Sequence, residues 1–104
     1  MRKVRSYRGN APAGEYWQMA DTIRDAQGVD WIVWFHLRAM DSGYINFKIV
    51  ADGEAKRKAN YWIARNRAGG SLSRDLVIMK ENNPDFFADV SACMEGVCQR
   101  EFSK

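Results

Sequence analysis

A mixed aromatic and cationic set lies between residues 34 and 48: Trp34, His36, Arg38, Tyr44, Asn46 and Lys48. Trp34, His36 and Tyr44 offer rings on which bases or ligand rings can stack, while Arg38 and Lys48 carry charge that attracts phosphate. A second set follows. Arg57, Tyr61 and Arg65 recur at i, i+4 and i+8, one side of a helix, with Lys56 and Lys58 beside them. Such a row suits phosphate contacts, which position a nucleic acid without reading its bases. The plainer reading is a solvated helix face.

Catalytic groupings are absent from the sequence pattern. Serines 6, 42, 71, 73, 91 and 103 have no nucleophile-elbow context. Gly69-Gly70-Ser71 is too short for a phosphate loop and lacks its lysine. His36 is the only histidine, far along the chain from Cys93 and Cys98, so neither a Cys–His pair nor a zinc site is expected. The spacing of the two cysteines sets them on different sides of a helix, and two unpaired thiols are expected. Asp85 and Asp89 fit an acidic helix start. The chain reads as a non-enzyme with no cofactor and no metal.

The elements that would hold these residues follow from periodicity. Residues 30–51 read as a β-hairpin: two β-forming runs flank Asp41-Ser42-Gly43, with Gly43 in the slot that takes a left-handed conformation. That loop predicts His36 opposite Lys48, Arg38 opposite Asn46 and Phe35 opposite Ile49. Alternation then separates two faces. Trp31, Val33, Phe35, Leu37, Ile45, Phe47 and Ile49 form a core face. Ile32, Trp34, His36, Arg38, Tyr44, Asn46, Lys48 and Val50 form the other, where cover by a neighbouring segment is the alternative to exposure.

Four helices are expected around that hairpin. Tyr16, Ala20 and Ile23 at i, i+4 and i+7 predict one over residues 13–27, stopped at Gly28; a strand over residues 15–23 is the rival. Asp52 can cap a helix over residues 53–66, with Ala59, Trp62 and Ile63 turned to the core. A short helix spans residues 74–82. Asn83 caps, and Pro84 starts, a last one over residues 84–101, with Phe86, Val90, Cys93 and Val97 as its apolar stripe. The fold class is α+β, a small antiparallel sheet packed by helices. At 104 residues it forms one domain, 1–104, with a basic N-terminal arm over residues 1–11.

Charge is uneven although the net value is only +3. Arg2, Lys3, Arg5 and Arg8 precede the first acid, and residues from Asp75 onward turn acidic. A basic end can attract polyanions. No apolar run approaches the roughly 18 residues of a membrane span, so no membrane association and a cytoplasmic location are expected. The helical pair at the C-terminus is too acidic in its second member for a DNA-reading helix-turn-helix.

Strand–turn–strand followed by "EAKRKANYWIARN" resembles the small three-strand-plus-helix DNA-binding domains of AP2 and phage-integrase N-terminal type, and the cell-division activators of enteric bacteria. The resemblance covers residues 30–51 and 53–67. It implies a sheet or its loops meeting DNA, with the helix bracing the sheet from behind. The third strand is not evident here, and the acidic tail after Gly70 has no counterpart. The size and style also resemble phage or mobile-element proteins.

The expected function is a non-enzymatic binding module for nucleic acid or a nucleic-acid-handling complex. Trp34, His36, Arg38, Tyr44 and Lys48 would make the contacts together with Arg57, Lys58, Tyr61 and Arg65. The alternative is a phage-type effector that binds a host protein through exposed aromatics and the acidic last helix, with Asp85, Asp89 and Glu95 at its centre.

Overall fold

The computed structural model describes residues 17–36, 43–51, 60–67 and 74–103. They form an α+β fold in two layers. Strands β1 (Trp17–Arg24), β2 (Asp30–His36), β3 (Tyr44–Ala51) and β4 (Asn60–Asn66) are followed by helices α1 (Arg74–Asn82) and α2 (Pro84–Phe102). The sheet is an antiparallel meander in the order β1-β2-β3-β4. Both helices lie on one face of it, α1 against β4 and α2 against β1.

Residues 17–24 are strand, not the expected helix. The cause is a bulge. Met19 pairs with Trp34 and Asp21 with Val33, which leaves Ala20 as an extra residue. An inserted residue slips the two-residue alternation by one. Ala20 and Ile23 therefore both pack toward the core at a spacing of three, which imitates a helix. Gly28, expected to stop that helix, sits instead at φ +85° in the β1–β2 turn. Asp25 organises this turn. Its carboxylate accepts hydrogen bonds from the backbone N–H of Gln27 and Val29 and from the Trp31 indole, each at 2.9 Å.

The β2–β3 hairpin forms, but two residues out of the expected register. Phe35 pairs with Phe47, His36 with Asn46 and Trp34 with Lys48. A slip of two leaves every side chain on its own face, so alternation cannot distinguish the registers. In the observed one the Phe35 and Phe47 rings meet across the pair, centroids 6.3 Å apart. Gly43 has φ +86°, as its slot requires. Arg38 and Leu37 lie outside the described residues.

Residues 60–66 are also strand, where a helix was expected; residues 53–59 lie outside the described part. Tyr61, Ile63 and Arg65 face the helices and Trp62 faces away. This reverses the expected orientation of Trp62 and Arg65. It also removes the bracing helix on which the resemblance to three-strand-plus-helix domains depended. The C-terminal pair is as expected. Pro84 occupies the first turn of α2, although Asn83 at the cap position makes no side-chain cap hydrogen bond.

The core lies between sheet and helices. Val33, Phe35, Ile45, Phe47, Ile49 and Ile63 pack against Met79, Phe86, Val90, Met94 and Val97. Large apolar side chains removed from water contribute roughly 1.5–3 kcal/mol each. Among the described residues no helix is long and apolar enough to cross a membrane.

Candidate nucleic-acid interface

The other face of the sheet carries the aromatic and polar set. Its buried cluster among the described residues is Trp17, Ile32, Trp34 and Val50, all on strands. The register places Trp17 beside His36, Met19 beside Trp34, Trp34 beside Lys48 and Lys48 beside Trp62. Tyr44 and Asn66 pair at one end of the same face.

Trp17 and Trp62 start from opposite edge strands, about 14 Å apart at normal strand spacing. Their rings nevertheless meet edge to face, centroids 5.8 Å apart. Trp17 also meets the His36 ring edge to face at 5.0 Å. The two indoles thus reach inward over the central strands. Trp34, clustered with Trp17, Ile32 and Val50, is 0% exposed, so it is not available for stacking. Of the two readings of this face, exposure and cover, cover holds for Trp34.

Trp62 stays 47% exposed, and the Lys48 ammonium lies 4.8 Å from its ring centroid. An ammonium over an indole is held by the ring's negative face, worth about 0.5–1 kcal/mol at an exposed site. His36, Tyr44, Asn46 and Lys48 are all half-buried with part of each side chain at the surface. The indole N–H groups of Trp17 and Trp34 are buried and find no hydrogen-bond partner among the described residues. Each such orphan costs roughly 1–3 kcal/mol.

The expected basic row separates. Arg57 and Lys58 lie outside the described residues. Tyr61 and Arg65 share a face, but it is the helix-covered one. The Tyr61 ring lies 5.4 Å from Trp31, and Arg65 is buried with its Nη2 2.7 Å from Glu95 Oε1. A phosphate-contacting role for those two is not accessible from the outer face. Trp62, which sequence reasoning had turned inward, is the residue it missed. The signal was its flanking alternation, Tyr61, Ile63 and Arg65 against Trp62 and Ala64.

On the helix side an open groove of about 520 Å³ runs between β1 and α2, lined by Asp21, Thr22, Ile23, Arg24, Asp89 and Cys93 among others. Burial, with the Asp21 carboxylate adding to it, pushes the Cys93 thiol up to about 11, against the opposing pull of Arg100. A thiol held that far from ionisation is a poor nucleophile. His36 lies on the opposite face of the sheet, which rules out the Cys–His pair. Both cysteines are unpaired. No group of three or more metal-ligating side chains occurs among the described residues.

No family model matches the chain, and no curated protein or solved structure matches it.

Proposed function

We propose that the face of the sheet turned away from α1 and α2 binds single-stranded nucleic acid. The carrying observation is the half-exposed Trp62 indole with Lys48 4.8 Å above it, on the face turned away from both helices. A base stacked on Trp62 would leave its phosphate within reach of the Lys48 ammonium, which swings on a flexible stem. Base–aromatic stacking is worth about 1–3 kcal/mol and needs no particular sequence. Asn46, Tyr44 and His36 supply hydrogen-bonding groups along the same strip, while Trp34 and Ile32 stiffen it from below. The geometry of four antiparallel strands with helices behind and aromatics in front is one that single-stranded RNA binders use.

The protein-effector reading has less support. It uses exposed aromatics and the acidic α2, where Asp85 and Asp89 are exposed but Glu95 is paired with Arg65.

The test is a tryptophan-fluorescence titration with mixed-sequence single-stranded DNA and RNA at low salt. Trp62→Ala should weaken binding by roughly 1–3 kcal/mol with little change in salt dependence. Lys48→Ala should flatten the log–log salt slope by about one unit. Absence of binding to either nucleic acid at low salt overturns the proposal.

A further inference from the structure

Buried indoles usually keep their N–H groups satisfied, because an unpaired donor away from water is costly. Trp31, on the helix side of the sheet, follows that rule: its indole donates to Asp25 Oδ2 at 2.9 Å. On the opposite face Trp17 and Trp34 break it. Trp17 is 5% exposed and Trp34 0%, and neither indole N–H finds a hydrogen-bond partner among the described residues. Both nitrogens are sealed from solvent, so a bridging water has no room beside them. These donors are satisfied only if a ring moves or an acceptor arrives.

Trp17 is the ring placed to move. Of the cluster Trp17, Ile32, Trp34 and Val50, it alone stands on an outer strand of the sheet; β2 and β3 each have a neighbouring strand on both sides. It is the first residue of β1. Its ring meets His36 at 5.0 Å and Trp62 at 5.8 Å, both nearly perpendicular, and no hydrogen bond from its N–H fixes it there. It therefore touches the ring that carries the proposed binding strip.

We propose that Trp17 is a second stacking ring of the nucleic-acid site, turned in against Trp62 in the free protein and turned out by the bound strand. The assignment rests on the single-stranded nucleic-acid reading and extends it from one base, on Trp62, to a neighbouring base on Trp17. The bound form gains contacts that the free form lacks: a base face against the Trp17 indole, and an acceptor for its N–H. A ligand shifts a conformational equilibrium only through such a difference. Stacking on an indole suits any base, and an indole N–H is a donor only, so it takes the acceptor atoms that every base and phosphate carries. The second ring thus adds affinity without sequence preference.

The test is a fluorescence titration of the full chain with mixed-sequence single-stranded DNA and RNA at low salt, repeated on two variants. Trp17→Leu keeps apolar bulk and loses the π face; it should weaken binding about tenfold with the log–log salt slope unchanged. Trp17→Phe restores a ring and should recover most of that loss. In the parent, which needs no substitution, the Trp17 indole proton should move downfield in NMR spectra as the oligonucleotide saturates the chain, as a donor does on gaining an acceptor. Equal affinity of the parent and Trp17→Leu overturns the proposal. Equal weakening by Trp17→Leu and Trp17→Phe also overturns it, since that assigns Trp17 to packing, and so does an indole proton unmoved at saturation. A parent that binds neither nucleic acid removes the functional reading and this proposal with it; binding that depends on Trp62 and Lys48 but not on Trp17 removes this proposal alone.

Discussion

Arg65 on β4 and Glu95 on α2 are joined by a 2.7 Å ion pair across thirty residues of sequence, with the guanidinium buried and the carboxylate half-exposed. The pair links the sheet to the longer helix at a point where the apolar core gives way to solvent. Removing the acid leaves a buried charge without this partner. Glu95→Ala should destabilise the fold by about 1–3 kcal/mol in chemical denaturation, less than a fully buried pair because water already reaches Glu95. A midpoint unmoved by the change would show that the pair is incidental.

The two faces of the aromatic set should separate in stability measurements. Trp34→Ala should cost roughly 3–5 kcal/mol, as a fully enclosed ring does when it leaves a cavity. Trp62→Ala should cost clearly less, since nearly half of that ring already faces water. Equal losses would mean that Trp62 is as enclosed as Trp34.

Gly43 and Gly96 form a matched pair. A Cβ added at either would meet no atom within 4 Å. Only the backbone differs: Gly43 has φ +86°, while Gly96 lies inside α2. Gly43→Ala should therefore lower stability by about 1 kcal/mol and Gly96→Ala should raise it by about the same amount. Thermal melts of the two variants read the opposite signs directly.

Asp25 gives a pH dependence. Burial works to raise its carboxyl, but hydrogen bonds from the Trp31 indole and from the backbone N–H groups of Val29, Gln27 and Gly28 outweigh it and hold the group below the usual carboxylate range. A depressed folded-state value contributes stability above the unfolded pKa of about 3.9 and loses it as pH falls through the folded one. The wild-type chain should melt above Asp25→Asn near neutrality, and the gap should narrow below about pH 4. A constant gap would assign the effect to shape, not charge.

The parts of the fold that were legible in the sequence are those with uninterrupted periodicity. β2 and β3 alternate cleanly around Gly43, and α1 and α2 carry an apolar stripe behind Pro84. β1 was hidden because its bulge converts a spacing of two into one of three. β4 was hidden because Arg65 sits on the buried face. A cation at an inward position reads as surface until its partner, thirty residues away, is known. The outer face was identified through Trp34, His36, Tyr44 and Lys48, which do share it. Trp62, the tryptophan of this face that reaches solvent, lies on β4, a strand that reads as a helix.

The Ala20 bulge also blunts the β1 edge of this sheet. A strand that kinks and twists at its middle offers no straight template for main-chain pairing, so the bulge guards the aromatic, β-rich first half of the protein against edge-to-edge association on that side.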